Sequence, residues 1–230
     1  MSALGRVPHL IVDDVAAPEL TDGDRHHLTR SLRRREGDEL TVTDGVGSWR
    51  VCRLATVLEP VSEVFHVPPP VPRLTVAFAR TKGDRPELAV QKLTELGIDH
   101  IVVFESDRSV ARWSEDRLPR QVERLGRVAR EAAMQSRRLH LPVVEVFDGF
   151  EEVAALEGAA LADLDGETPS LDHPTLLIGP EGGWSDAERD RSPRVRLSAR
   201  VLRAETAAIA AGVVMAALRE GLLDRADRGA

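Results

Sequence analysis

The 230-residue sequence has few of the residues that mark several common classes of protein. A single cysteine, Cys52, excludes a disulfide framework and a cysteine-based zinc site. The seven histidines are scattered without a metal-ligand spacing, so we expect no metal. The longest apolar run, residues 206–218, is too short to span a bilayer, and the first residues lack a signal-peptide pattern. We therefore expect a soluble cytoplasmic protein.

Aromatic residues and lysines are also scarce. Three tryptophans, five phenylalanines and no tyrosine leave few candidates for stacking on nucleic-acid bases. Only Lys82 and Lys92 are lysines, so arginine carries nearly all the positive charge and can bind phosphate through two parallel hydrogen bonds. The net charge of −7 argues against tight non-specific RNA binding. However, nine acidic and no basic residues lie within 145–172, and removing these nine charges leaves +2.

The first part of the chain predicts a small β-rich domain over residues 1–67. Residues 9–12 form a short strand candidate, and residues 22–34 a helix. Alternating apolar and polar residues at 39–43 and 49–54 flank a glycine-containing turn, which is typical of a β-hairpin. The proline-rich segment 67–72 then predicts a stiff linker.

Residues 73–230 alternate between apolar strands and helices, a pattern that predicts an α/β domain with a mostly parallel sheet. A helix is predicted from Pro86 to Gly97, and a long one over 114–135. The final helix, 204–218, is apolar around most of its circumference, so we expect it to be buried on more than one side. Predicted strands lie at 74–79, 101–104, 143–147, 176–178 and 195–197.

Two C-terminal segments have the features of a ligand site. In residues 176–185 an apolar strand runs into a glycine-rich turn, where backbone amides can approach a ligand closely. Ser185 and Glu188 then form a capping box that begins a helix. Residues 197–208 repeat the order of strand, loop and helix, and open α/β folds bind ligands at such strand ends. Glu181 would repel phosphate and the nucleotide-binding fingerprints are missing, which favours a cationic cofactor.

These two motifs, in this order, closely resemble the RsmE family, whose members are SPOUT-class methyltransferases. The family uses S-adenosylmethionine to methylate N3 of a uridine in small-subunit (16S) ribosomal RNA. The resemblance covers nearly the whole chain, including blocks at 27–40, 82–85, 91–97 and 135–138. It implies a PUA-like RNA-binding β-barrel over 1–67, and over 73–230 a parallel α/β SPOUT domain with a deep C-terminal trefoil knot. That second domain would bind the cofactor and form a homodimer.

The sequence departs from the family pattern at three positions. Ser198 stands where glycine is usual, and Ala204 replaces a more usual threonine. Trp184 occupies a position where phenylalanine is commoner. The change at Ser198 bears on the backbone path of the predicted cofactor loop.

The resemblance also implies roles for individual residues. S-adenosylmethionine would be held by Leu177, Ile178, Gly179, Pro180, Glu181, Gly182, Gly183, Leu197, Ser198, Arg200, Val201, Leu202 and Arg203. Basic clusters predict RNA contacts at Arg30, Arg33, Arg34, Arg35, Arg80, Lys82, Arg85, Arg137 and Arg138.

Arg203 and Glu205 are the candidate catalytic residues. A guanidinium near the uracil ring could stabilise negative charge that develops on the ring oxygens, while a carboxylate or water takes the N3 proton. On spacing alone, a capped helix end with a solvated ion pair is the favoured explanation of the two residues. The sequence identifies no general base.

Two other functions stay open at this point. One is a SPOUT enzyme that methylates the ribose 2′-OH of tRNA or rRNA. The other is a non-catalytic assembly factor that binds ribosomal RNA through the same surfaces and needs no methyl donor. The sequence also leaves open whether the partner is free small-subunit ribosomal RNA or the assembled subunit.

Overall fold

The computed structural model describes residues 7–110, 113 and 115–223. Contacts divide the chain into two compact units. The N-terminal unit comprises Met1–Pro69 and Arg130–Leu141, and the C-terminal unit comprises Pro70–Ala129 and Pro142–Ala230. Among the described residues, no helix combines the length and the apolar character needed to cross a membrane.

The N-terminal unit is built on a five-stranded sheet. Its strands are β1 (His9–Ile11), β2 (Glu39–Thr43), β3 (Ser48–Arg53), β4 (Glu59–Pro60) and β5 (Phe65–His66). The predicted hairpin is present as the antiparallel pair β2–β3, while β1 runs parallel to β2. Helix α1 (Asp22–His26) begins at the capping residue Thr21 and continues as a π-helical turn over His27–Ser31. Leu28 and Cys52 are fully buried in the core of this unit.

The C-terminal unit contains a six-stranded sheet in which every neighbouring pair is parallel. The sheet order is β11-β9-β10-β6-β7-β8. Its strands are β6 (Thr75–Ala79), β7 (His100–Phe104), β8 (Val143–Phe147), β9 (Ala159–Glu167), β10 (Thr175–Ile178) and β11 (Arg194–Val195). The helices that follow α1 are α2 (Arg85–Glu95), α3 (Leu118–Ser136), α4 (Phe150–Ala154), α5 (Asp186–Arg189) and α6 (Ala204–Arg219).

The apolar strands explain this architecture. All residues of β6, β7 and β10 are buried, as expected for strands of a parallel sheet that is covered on both faces. Helix α6 packs against α2, β6 and β10 through one broad face that includes Ala208, Ala211 and Met215. Val213, outside that face, is 48% exposed, so the described contacts do not cover α6 all round.

Strand β9 is the longest of the elements that sequence patterns did not predict, the others being β4, β5 and α4. Its sequence is rich in alanine and aspartate, which have low strand propensity, and it lies within the acidic stretch. Nevertheless, β9 pairs with both β10 and β11. At Gly166 the backbone of Val195 passes so closely that a Cβ atom would lie 2.3 Å from the Val195 carbonyl carbon. Glycine is therefore required where β11 crosses the end of β9.

We predict that Gly166→Ala lowers the free energy of unfolding by about 3 kcal/mol, because the added methyl group forces two backbones apart. Gly126→Ala is the matched control. Gly126 lies in α3 with open space at its Cβ position, so the same change should stabilise the protein by about 0.5–1 kcal/mol. Urea denaturation of both variants measures these differences. Equal effects of the two substitutions would contradict the close crossing.

Candidate active site

A cleft in the C-terminal unit opens where the parallel strands end. Its walls are formed by three segments: residues 162–164 of β9, residues 178–184 at and after the end of β10, and residues 197–207 after β11. The last paired residues of β9 and β10 are Leu161 and Leu177, so the cleft begins directly beyond that pair. Both predicted ligand motifs therefore meet at one place, as expected for the carboxyl ends of strands in an open α/β sheet.

The loop after β10 is fixed by a tight turn and by Trp184. The N–H of Gly183 donates to the carbonyl of Pro180 at 2.9 Å, and Gly183 has a φ of +70°, which favours glycine. The Trp184 ring stacks on Phe104 with ring centroids 6.2 Å apart. A Cβ atom on Gly179 would lie 2.9 Å from this indole ring. The loop can therefore fold over Trp184 only because residue 179 has no side chain.

The predicted capping box at the start of α5 is confirmed. The Ser185 hydroxyl accepts from the N–H of Glu188 at 3.2 Å, and the Glu188 carboxylate accepts from the N–H of Ser185 at 2.8 Å. Glu188 is almost completely buried and also accepts from the Ser106 hydroxyl at 2.7 Å and the Asp107 N–H at 3.1 Å. One buried carboxylate thus ties the cleft loop to the loop after β7.

The loop after β11 is held by its own backbone and by Ser198. The N–H of Arg196 donates at 2.7 Å to the carbonyl of Glu167, the last residue of β9. The Ser198 hydroxyl accepts from the N–H of Arg200 at 3.0 Å, so this departure from the family pattern stabilises a local turn. Arg203 is the residue that caps α6, with an extended backbone and no capping bond from its side chain.

Most of the predicted cofactor residues line this cleft. They are Ile178, Gly179, Pro180, Glu181, Gly183, Leu197, Ser198, Arg200, Val201 and Leu202. Leu177 instead points into the core and is fully buried. A Cβ on Gly182 would lie 3.2 Å from Arg108, and Gly182 does not line the cleft. Arg203 also lies outside the lining and is exposed.

Several residues that line the cleft were not predicted from the sequence. The most notable are Asp163 and Arg189, whose Oδ2 and Nη2 atoms are 3.2 Å apart, with the Asp163 side chain only 7% exposed. The small side chains of Ala204 and Ala207 leave room on the α6 side. Asp163 lies in the acidic stretch 145–172, whose composition is typical of a solvated surface. Only a prediction of strand β9 could have indicated that Asp163 lines the cleft.

An ionic cluster joins the cleft to the start of α2. Arg85 pairs with Glu181 through Nη1, and its Nε lies 3.8 Å from Oε1 of Glu205. The Glu205 side chain is only 13% exposed, and its Oε2 is buried without a hydrogen-bond partner among the described residues. The Arg203 side chain makes no hydrogen bond or ion pair with any residue that the structure describes. The ion pair of Glu205 is therefore formed with Arg85 rather than with Arg203.

The other predicted RNA-binding residues differ in their surroundings. Lys82 is exposed on the loop after β6, and in the N-terminal unit Arg30, Arg33, Arg35 and Arg137 are exposed while Arg34 and Arg138 are half-buried. Arg80 is only 6% exposed: its Nη1 lies 2.7 Å from Glu105 and its Nη2 donates to the Phe147 carbonyl. The Arg80 guanidinium is thus held inside the C-terminal unit.

Comparisons with known proteins agree with this architecture. A family model described as an RNA methyltransferase domain matches residues 68–216, and one described as an RNA methyltransferase PUA domain matches residues 20–57. Ribosomal RNA small subunit methyltransferase E of Mycobacterium bovis is 34% identical over 230 residues, covering 87% of each chain. The protein of the same name from Synechocystis is 35% identical over 240 residues, covering 93% of this chain and 76% of its own.

A solved structure shows the same fold. It is a Legionella pneumophila protein in complex with S-adenosylmethionine, 25% identical, with a TM-score of 0.77 over 92% of this chain and 98% of its own. The family resemblance seen in the two C-terminal motifs is therefore confirmed at the level of the whole chain. The protein belongs to the family of ribosomal RNA small subunit methyltransferase E.

Proposed function

We propose that the protein transfers a methyl group from S-adenosylmethionine to N3 of a uridine in small-subunit (16S) ribosomal RNA. The products are 3-methyluridine, S-adenosylhomocysteine and a proton. The observation that carries the proposal is the meeting of both C-terminal motifs in one cleft, beside the carboxylate of Glu205. Membership of the family, whose named members are ribosomal RNA methyltransferases, supports it.

The residues of the cleft fit S-adenosylmethionine in charge and polarity. Leu197, Leu202 and Ala207 offer apolar surface for the adenine ring. The carboxylates of Asp163 and Glu181 complement hydroxyl groups and positive charge, which are both present in the cofactor. When bound, S-adenosylmethionine supplies a methyl group on a positively charged sulfur, and the protein supplies orientation and electrostatics.

The catalytic roles follow from the chemistry of the uracil imide. The N3 atom must lose a proton as it gains the methyl group, so negative charge develops on the neighbouring ring oxygens. Arg203, unpaired among the described residues, would stabilise that charge. Glu205 has a buried oxygen without a partner, and this oxygen would accept the N3 proton. Arg85 would hold Glu205 in place through the other carboxylate oxygen of Glu205, Oε1.

RNA binding would rest mainly on arginine side chains. In the N-terminal unit, the cluster Arg30, Arg33, Arg34 and Arg35 and the pair Arg137 and Arg138 are candidates for phosphate contacts. Lys82 and Arg85 would act beside the cleft, whereas the internal bonds of Arg80 favour a structural role. The partner is small-subunit ribosomal RNA, free or within the subunit, which would place the protein in the cytoplasm.

The same resemblance supports a finer description of the fold. Residues 1–67 would form a PUA-like barrel, and residues 73–230 a SPOUT domain with a C-terminal trefoil knot. The knot is inferred from the family resemblance, and the close approach of Val195 to Gly166 is a separate packing constraint on the same segment. Near the C-terminus, Val213, Leu222 and Leu223 are exposed apolar residues that a second copy could cover in a two-fold homodimer.

The modified nucleoside tests the reaction directly. Mass spectrometry of ribosomal RNA from a strain that lacks the protein should show loss of 3-methyluridine from the small subunit, restored by the intact gene. The Glu205→Gln variant should fail to restore it, because the amide cannot take the proton. Loss of a 2′-O-methylnucleoside instead would support the ribose methyltransferase. Unchanged nucleosides would favour a non-catalytic assembly factor.

Cofactor binding should depend on Gly179. In Gly179→Ala the added methyl group would lie 2.9 Å from the Trp184 ring, so the loop must move out of its binding conformation. We expect the Kd for S-adenosylmethionine to rise at least tenfold, or about 1.4 kcal/mol, by calorimetry without added metal. Gly126→Ala, in α3, should bind like the wild type. An unchanged affinity in Gly179→Ala would place the cofactor elsewhere.

Arg203→Ala should slow methyl transfer even when RNA and cofactor are both saturating, because the proposed interaction strengthens in the transition state. A loss of 10²-fold or more, about 2.7 kcal/mol, is expected for a charge-stabilising donor. Arg196→Ala removes the same charge from an exposed position outside the cleft lining and should leave the rate unchanged. Single-turnover kinetics measure both variants. A pure change in RNA affinity for Arg203→Ala would reassign this residue to RNA binding.

The proposed homodimer should depend on the exposed apolar residues of the C-terminal unit. Light scattering of the wild type should give twice the 25.2 kDa mass of the chain at micromolar concentration. Val213→Glu places a charge on the uncovered side of α6 and should shift the protein toward the monomer. Val110→Glu, another exposed valine of this unit, serves as the control. A wild-type monomer would contradict the proposal.

A further inference from the structure

The N-terminal unit contains a cavity of about 750 Å³ that the cofactor cleft does not include. It lies between the start of β1, the turn after α1 and the last turns of α3. Its lining includes Pro8, His27, Leu32, Arg34, Met134 and Arg137, and we call it the N-terminal cavity. Its volume is within the range of small-molecule sites. Two sequence blocks that the cofactor site does not use, at 27–40 and 135–138, therefore meet around one space.

The two arginine side chains that line the N-terminal cavity have no hydrogen-bond or ion-pair partner among the described residues. Arg34 and Arg137 make no hydrogen bond or ion pair through their side chains with other described residues, and Nε of Arg34 is buried. Arg25 and Arg50 behave differently, since their guanidinium groups donate to backbone carbonyls of the same unit. Buried donors are ordinarily satisfied. Two arginines at one cavity thus present unused donors, which suit a phosphate group.

The backbone at the N-terminal cavity is also unusual. Arg33 and Arg137 have φ angles of +52° and +59°, and no other non-glycine residue of the described chain has a positive φ. Side chains with a Cβ atom rarely adopt this conformation, and such residues cluster at ligand sites. Arg33 directly precedes Arg34, and Arg137 lines the cavity itself. Both arginine positions are therefore set by backbone that the surrounding structure has to hold in place.

The remaining lining residues favour a partly apolar ligand with N–H donors. Pro8, Leu32 and Met134 supply apolar surface. Burial lowers the pKa of His9 to about 4, so this lining residue is neutral. The carboxylates of Asp24 and Glu131 also line the cavity and would repel a ligand that is anionic throughout. They can accept hydrogen bonds from an exocyclic amino group, as carboxylates do with cytosine.

We propose that the N-terminal cavity binds one unpaired nucleotide of the ribosomal RNA substrate, one that carries an exocyclic amino group. The phosphate would contact Arg34 and Arg137, and the base would lie against Leu32 and Met134. Unpaired bases are the usual targets of specific RNA recognition, because their edges are accessible. This inference rests on the proposed function for the identity of the RNA. It adds a second contact point, separate in sequence from the methylated uridine's site.

Four variants separate a nucleotide pocket from a merely positive surface. Arg34→Ala removes the phosphate contact, and Arg53→Ala removes an exposed arginine of the same unit outside the lining. Leu32→Ser removes apolar contact without a change of charge. Its control is Val64→Ser, since Leu32 and Val64 are 43% and 45% exposed. Circular dichroism should show that all four variants are folded.

The readout is the affinity for a fluorescent transcript of small-subunit ribosomal RNA, measured by anisotropy across a salt series. Arg34→Ala should weaken binding about tenfold and lower the salt slope by about 0.7. Leu32→Ser should weaken binding about fivefold with an unchanged slope, because base contacts add affinity without counterion release. Both controls should stay within twofold of wild type.

Three results would contradict the nucleotide site, its assignment to RNA or the proposed function. Cavity variants that bind the transcript like their controls would overturn the nucleotide site. If cytidine monophosphate binds with the same dependence on Arg34 and Leu32 while the affinity for the transcript is unchanged, the ligand is a free nucleotide and the assignment to RNA is overturned. A wild-type protein that methylates neither the transcript nor the assembled subunit would contradict the proposed function, whatever the affinities of the variants.

Discussion

The packing of Trp184 is the interaction on which the cleft depends. Its ring stacks on Phe104 and meets Phe150 edge-on at 5.8 Å, and its indole N–H donates to the carbonyl of Ala162 at 3.0 Å. The loop after β10 is thereby attached to β9 at the position where Asp163 enters the cleft. Because the indole occupies the space beside residue 179, glycine is needed there for packing. One aromatic residue therefore positions two of the three cleft walls.

Backbone contacts with β9 position the start of the third wall. The N–H of Leu161 donates to the carbonyl of Pro193 at 2.8 Å, and the N–H of Arg196 donates to the carbonyl of Glu167 at 2.7 Å. Between these bonds Val195 passes against Gly166 with no room for a side chain. The loop that follows, which carries Ser198 and Arg200, begins from this crossing. Its path is set by strand β9, so both halves of the cleft depend on that strand.

Local patterns predicted the two cleft loops, the capping box and most of the strands, because glycine pairs, capping residues and apolar runs act over a few residues. Strand β9 was not predicted, since its alanine and aspartate residues have low strand propensity and only pairing on both sides stabilises it. Asp163 was missed for the same reason. The grouping of Arg130–Leu141 with the N-terminal unit is also a long-range effect: Arg130 donates to the carbonyl of Ile11 at 2.6 Å.

The distribution of arginine pairing resolves the conflict between an acidic chain and an RNA partner. In the C-terminal unit many arginines are neutralised by carboxylates of that unit, namely Arg80, Arg85, Arg124, Arg127, Arg189, Arg191 and Arg219. In the N-terminal unit Arg30, Arg33, Arg34, Arg35 and Arg137 form no ion pair with any described residue. Phosphate affinity depends on unpaired local charge rather than on the net charge of −7. Under the proposed function, the N-terminal unit would bind RNA through these unpaired arginines, while the charged groups of the C-terminal unit would hold the cofactor and accept the N3 proton.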